Sequence, residues 1–393
     1  MPQLDETRID DEAAIERLDR RHTLRALATA GAQVRHAVEL AADAGVARLR
    51  RTERPRSVLV AAVGTASTVP DVLELLAEPG SPVPVSTRHD LPLPGWVGPL
   101  DLVVAVSHSG RAAGPLALAA EAARRGAEIV TVGTADSPLA DVCARARGLH
   151  VAVPPDLTST RTSLWSLLTP VLVAADALGL VAAPPALLSE VADRLDAAAL
   201  AARPGSESFV NPAKLLAVDL AERFPVVLGD GAVAGVAARR AATMLNRTAR
   251  VPAMWGELPD AAAQVVALLD GPYTDAGAAA LAGEGEVVAD IFRDPYLDGM
   301  PDPRLGLVLL RESAERAAEG GTEVGRPLAA TVAEIARAAG VRVSEYAAEP
   351  GPVLVRLADL VAHVDFAATY LALGLGLDPA LSPHLAELRD RTR

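Results

Sequence analysis

Two α/β units in tandem are the fold class this sequence predicts, on three observations. Short apolar strands alternate with helical stretches, the strands run into turns of Gly, Ser and Thr, and the apolar excess is Ala, Val and Leu, with 50% hydrophobic but only 3% aromatic residues. Such alternation implies right-handed crossovers and parallel sheets covered on both faces, where small aliphatic side chains allow close helix packing. At 393 residues the chain is also longer than one ordinary domain.

In order, residues 10–50 read as helix, with Asp10 and Asp11 placed to cap its free N–H groups. "SVLVAAVG" (57–64) is a strand, "TASTVPDVLELLAE" (65–78) a turn then a helix, and "DLVVAVSHSG" (101–110) a second strand. "PLALAAEAARRG" (115–126) is its helix, "AEIVTVG" (127–133) a strand, "SPLADVCARARG" (137–148) a helix and "LHVAVP" (149–154) a strand. Residues 158–200 read as two helices separated by "AAPPA". The alternation then returns: strand "FPVVLGDG" (224–231), helix 232–248, strand "AAQVVALLD" (262–270), strand "RLGLVLL" (304–310), helix 331–340 and strand "VRVSEY" (341–346). A helical segment from Val353 closes the chain, followed by a polar tail.

A net charge of -13 without a basic block argues against nucleic acid as a partner. The single cysteine, Cys143, lies in a helical pattern and reads as a small core residue; it excludes an internal disulfide or a multi-thiolate metal site and points to a reducing cytoplasm. The first residues are acidic and helical, so no secretory signal is expected. Pro, Asp or Gly breaks the longest apolar runs, so no membrane span is expected either.

In a parallel sheet, ligands sit beyond the carboxyl ends of the strands, where N–H groups of the following helix point outward. The second strand stops there in Ser107, His108, Ser109 and Gly110, and a helix starts near Ala112. Glycine allows close backbone approach, hydroxyls donate, and the helix start offers its positive end, so the turn fits an anion, most economically a phosphate. Gly64, Thr65 and Ser67 would form a second wall of the same pocket. On these residues alone, ordinary turn chemistry explains the pattern equally well. Lys214 is the chain's only lysine, so no Gly-Lys-Ser/Thr follows a strand, and "GDGAVAG" (229–235) lacks three-glycine dinucleotide spacing. A nucleotide cofactor is not expected.

The stretch "LPGWVGPLDLVVAVSHSGRAAGPLALAAEAARRGAEIVTVG" (93–133) resembles the sugar isomerase (SIS) domain, whose signature is Ser-x-Ser-Gly-x-Thr at a strand end. Through "STRTSLWSLL" (159–168), "VVLGDGAVAGVAARRAATMLNRTARVPAMWGELPD" (226–260) and "YLALGLGLDPALSPHLAELR" (370–389), the chain is similar to the bifunctional phosphoglucose/phosphomannose isomerases, which are tandem SIS proteins. With the element order, this implies two SIS-like (flavodoxin-like) parallel-sheet domains with helices on both faces. The expected divisions are a helical segment at 1–50, a first SIS domain at 51–156, a connector at 157–205, a second SIS domain at 206–350 and a helical closing segment at 351–393. The resemblance further implies a sugar-phosphate ligand, no cofactor, no metal, and a cytoplasmic homodimer. It puts the phosphate on the turns Gly64–Ser67 and Ser107–Gly110; His108 sits inside the signature at a position the family leaves variable, and its place there is what makes contact with ligand an expectation. Arg161 falls on a family arginine of the connector, and Arg240 on the arginine that steadies the enediolate.

The departures fall on chemistry. Aldose–ketose isomerisation needs a base to move a proton between neighbouring carbons and a group to open the ring. The family base comes from Asn-Glu-Asn, here Asn246, Arg247 and Thr248, and the ring-opening histidine from Asn-His-Asn-Glu, here Ala262, Ala263, Gln264 and Val265. A lysine near the C-terminus stands as Arg389, which does not readily give up its proton, and the signature threonine is Ala112. No histidine occurs from 151 to 362; Glu257, Asp260, His363 and His384 are the candidate substitutes. Two expectations result: an isomerase of altered site chemistry acting on glucose 6-phosphate or mannose 6-phosphate, or an inactive SIS protein serving as phosphosugar sensor or partner subunit.

Overall fold

The computed structural model describes residues 4–51, 53–282, 304–312 and 325–391. They fall into two units, one of 25–199 with 352–358, the other of 1–24, 200–351 and 359–393, each built on its own parallel sheet.

In the first-sheet unit the strands are β1 (Val58–Ala61), β2 (Val85–Arg88), β3 (Leu102–Val106), β4 (Glu128–Gly133) and β5 (Leu149–Ala152), ordered β2-β1-β3-β4-β5. Strands β1 and β3 are buried throughout, as their unbroken apolar runs require, and pair in register with Ala61 opposite Ala105. Helices Ala113–Arg124 and Pro138–Arg145 lay Leu118, Ala119, Ala122, Leu139 and Cys143 against Leu59, Val103 and Ile129. Helix Leu164–Ala177 packs along Ala30–Asp43 and also touches β4.

In the second-sheet unit β6 (Arg223–Asp230), β7 (Met254–Leu258), β8 (Arg304–Arg311) and β9 (Arg342–Ala347) are ordered β7-β6-β8-β9, all parallel. Their core joins Leu228, Leu307 and Leu309 to Val332, Ala333 and Ala336 of helix Gly325–Ala338.

Several expectations need correction. The stretch 10–50 is not one helix: it breaks into Glu12–Leu18, Thr23–Ala28 and Ala30–Asp43. Buried Asp19 makes the first break by accepting hydrogen bonds from the Thr23 and Leu24 amides at 2.7 and 2.9 Å. Asp11 caps Glu12–Leu18 through the Ala13 amide as foreseen, whereas Asp10 instead accepts from Lys214 Nζ at 3.0 Å. The expected strand 262–270 is helix Ala262–Leu268, because Ala261, Val265 and Leu269 recur at helical spacing and all enter the core. The strand sits earlier, as β7, and β2 was not anticipated. Finally, helix Val353–Gly374, with 22 residues and mean hydropathy 1.3, is long and apolar enough to cross a membrane despite Asp359 and Asp365. Its apolar stretch is entirely buried, which makes it a core helix.

Candidate functional site

The sheet order fixes where a ligand can enter the first-sheet unit. From β1 the chain crosses to β2 on one side, and from β3 it proceeds to β4 and β5 on the other, so the connections diverge beyond the carboxyl ends of β1 and β3. Such a switch point opens a crevice. The two turns flanking it are 62–67 and 107–112, the pair singled out from the sequence.

Ser107 is 6% exposed, and its Oγ accepts from the Ala112 amide at 3.3 Å, closing the turn onto the helix start. Gly110 has φ +61, in the left-handed region, and a Cβ there would overlap Ser137 Oγ, so both backbone and space demand glycine. Ser137 is held in turn by donating to the Thr134 carbonyl at 2.7 Å while capping helix Pro138–Arg145. Ser109 and Arg111 are exposed, and the Arg111 amide donates to Ser109 Oγ at 3.4 Å. Helix Ala113–Arg124 begins after Ala112 without a side-chain cap, and the exposed Ser109 and Arg111 precede it in the chain. Across the crevice Gly64 is exposed at φ +65, Thr65 is buried and Ser67 half-buried in a short 3-10 turn, Gly64–Ser67. Neither turn contains a carboxylate.

His108 stands in the turn but directs its ring sideways: Nε2–H donates to the Pro154 carbonyl at 3.2 Å. Arg161 is 6% exposed in the turn before helix Leu164–Ala177. That turn is stiffened by Ser163 Oγ donating to the Ser159 carbonyl at 2.7 Å and by Gln33 Nε2 donating to the Thr162 carbonyl at 2.8 Å. The structure thus brings Gly64, Thr65, Ser67, Ser107, Ser109 and Gly110 to one end of one sheet and places Arg161 in the same unit.

Arg240 belongs to the second-sheet unit, on helix Ala232–Met244, and is 1% exposed. Its Nε and Nη2 fork onto Asp365, at 2.9 Å to Oδ1 and 2.6 Å to Oδ2. Burial pushes the Asp365 carboxyl up, and the guanidinium opposes that shift. The switch point of this sheet lies between β6 and β8. There the start of helix Ala232–Met244 meets a carboxylate of its own chain, as the Val233 amide donates to Glu312 Oε1 at 3.3 Å. Glu257 lies against Gly235, where a Cβ would overlap its carboxylate, and Arg239 stacks 5.6 Å over Trp255.

At the family's base position, Asn246 accepts from the Ala253 amide at 3.1 Å, Arg247 is half-buried and Thr248 is buried. Ala263 and Gln264 are exposed on helix Ala262–Leu268, and Glu257, Asp260 and His384 are exposed as well. His363 stacks on Tyr346 at 3.7 Å, and burial pushes its imidazole down to about 3, so it is neutral at physiological pH. Arg389 falls in helix Pro383–Arg391, but its side chain lies outside the described residues. Among the described residues, no group of three His, Cys, Asp or Glu could hold a metal ion.

Sequence reasoning missed Arg111, Asp365 and Glu312. Arg111 lay inside the quoted motif and could have been read as a cation beside the turn. The other two are brought into place by strand register and helix docking.

Residues 209–392 match the model of the bacterial phospho-glucose isomerase C-terminal SIS domain. Among solved structures, a hypothetical protein from Thermus thermophilus aligns at 17% identity and TM-score 0.67, covering 100% of this chain and 99% of that one. A glucose-6-phosphate isomerase like protein from the same organism aligns at 18% identity and TM-score 0.52, covering 97% and 98%. The tagatose-6-phosphate ketose/aldose isomerase of Escherichia coli aligns at 14% identity and TM-score 0.57, covering 92% and 94%. No curated protein matches the chain in sequence. Residues 209–392 are thus similar to the bacterial phospho-glucose isomerase C-terminal SIS domain, and the chain shares its fold from end to end with these solved structures.

Proposed function

We propose that the protein binds a sugar phosphate in the β1/β3 crevice of its first-sheet unit, as an isomerase-type protein with altered site chemistry. The observation that carries this reading is the pair of carboxylate-free turns at the switch point, with Gly64 exposed on one and Ser109 and Arg111 exposed on the other, just before an uncapped helix start. Donors and positive charge converge there, which suits a phosphate. The names of the two isomerase-type structures that share the fold point to the same ligand class.

Turnover is the finer part of the proposal. Arg247 and Ala263 supply neither carboxylate nor imidazole where the family places its base and ring-opening group, and losing a general base costs about two to four orders of magnitude. We therefore expect interconversion of glucose 6-phosphate or mannose 6-phosphate with fructose 6-phosphate to be slow. The second reading, a phosphosugar sensor or partner subunit, is favoured by Arg240, whose charge is met by Asp365 inside the fold. A cytoplasmic homodimer belongs to the same proposal, and light scattering after gel filtration tests its stoichiometry. Calorimetric titration with fructose 6-phosphate tests the ligand: binding weakened by Ser109→Ala and Arg111→Ala supports it, and absence of binding sinks both readings. A coupled assay then separates them, with rates near those of ordinary isomerases refuting the altered-site reading.

A further inference from the structure

We propose that His89 reads the sugar part of the ligand, its neutral imidazole accepting a hydrogen bond at Nε2 from a sugar hydroxyl; this rests on the reading of the crevice as a phosphosugar site. His89 is the first residue beyond β2, and Arg88 pairs with Ala61, so it leaves the sheet beside the mouth of β1. Its Nδ1 lies 2.8 Å from the Ala62 carbonyl. A carbonyl only accepts, so Nδ1 carries the proton and, in the neutral ring, Nε2 carries the lone pair.

The backbone of His89 is fixed just as closely. Its carbonyl meets Gly114 in the first turn of helix Ala113–Arg124, where a Cβ would overlap it. One residue is therefore tied through its ring to the chain leaving β1, and through its carbonyl to the helix that follows the Ser107–Gly110 turn. Those are the two walls of the crevice. The side chain is exposed, and with Nδ1 used on Ala62 the ring offers its Nε2 edge outward. His108 has its Nε2 engaged with Pro154 and is not comparably open. The division of labour follows from the groups: the turns present donors, which suit phosphate oxygens, and His89 presents an acceptor, which suits a hydroxyl.

The test is calorimetric titration at mildly alkaline pH. Fructose 6-phosphate and inorganic phosphate are the probes, on the wild type, His89→Asn and His89→Gln. Asparagine keeps a donor for the Ala62 carbonyl but ends short of Nε2, whereas glutamine reaches further with an acceptor oxygen. The wild type should prefer fructose 6-phosphate. His89→Asn should lose about three- to tenfold of that preference, the worth of one uncharged hydrogen bond, with phosphate affinity and thermal midpoint unchanged. His89→Gln should restore part of it. Equal weakening of both probes in His89→Asn would show a merely structural role, and an intact preference would also overturn the assignment; in either case phosphosugar binding by the wild type would still stand. A wild type that binds neither probe removes the phosphosugar reading and this inference together.

Discussion

The two switch points share a scaffold and differ in what meets the helix start. In the first, helix Ala113–Arg124 opens onto exposed Ser109 and Arg111 with no side-chain cap. In the second, helix Ala232–Met244 opens onto Glu312 of the same chain, with Asp230 at the end of the adjoining strand. A carboxylate on a helix N-terminus does there what an incoming anion would do in the first. The contrast extends inward. The second-sheet unit buries Arg240 against Asp365 and encloses Lys214, which donates to Asp10 at 3.0 Å and to the Pro204 and Ser206 carbonyls at 2.7 Å each. The two ends thus differ in an acid that meets one helix start and is absent from the turn before the other.

The largest effect expected from this contrast is on stability. Asp365→Ala leaves the Arg240 guanidinium without its forked partner in a buried setting, and should cost about 3–5 kcal/mol, seen in denaturant unfolding of the intact protein. Combining Arg240→Met with Asp365→Leu should recover most of that loss, because an apolar pair of similar size removes the stranded charge. A loss for Asp365→Ala of only about 1 kcal/mol would be the behaviour of a surface pair and would break the comparison.

Acid sharpens the same point. The folded-state value of His363 is lowered by burial from 6.5 to about 3, so between these pH values the unfolded chain binds the extra proton and stability falls as pH drops. Between pH 7 and pH 4 this amounts to a loss on the order of 3 kcal/mol. His363→Gln, which does not titrate, should flatten that part of the stability profile. An unchanged profile would mean that the ring is not what acid attacks.

How far this was legible in the sequence follows the same division between inside and edge. Strands β1, β3 and β4 are buried along most of their length and therefore write themselves as continuous apolar runs. Edge strands β2 and β7 are half-exposed, mix polar with apolar residues and give no such run. The run 262–270 was apolar enough for a strand, and only the core positions of Ala261, Val265 and Leu269 reveal the helical period. Ser107 and Gly110 were readable because turn chemistry is local. His89, Asp365 and Glu312 were not, since each acts on a residue more than twenty positions away, and that proximity is created by register and docking.

Smaller effects test the open end directly. Gly110→Val puts a β-branched residue at φ +61 against Ser137, and should cost about 2 kcal/mol while abolishing phosphate binding. Retained binding would mean that the ligand does not use this turn.

The smallest effect is the most informative. Glu312→Ala removes the carboxylate that meets the Val233 amide, and loss of such a cap should cost about 1 kcal/mol. It also uncovers a helix start of the kind the first unit exposes. Titration with inorganic phosphate should then show a second, weaker site per chain that the wild type lacks, and saturating phosphate should return part of the lost stability, since a ligand bound only to the folded form stabilises it. If Glu312→Ala takes up no second phosphate, one acid is not what separates the two ends, and the closure must be shared with Asp230 and Glu257. The triple replacement with Asp230→Asn and Glu257→Gln then decides: a second site appearing only there keeps electrostatics as the cause, and none appearing assigns the difference to backbone shape.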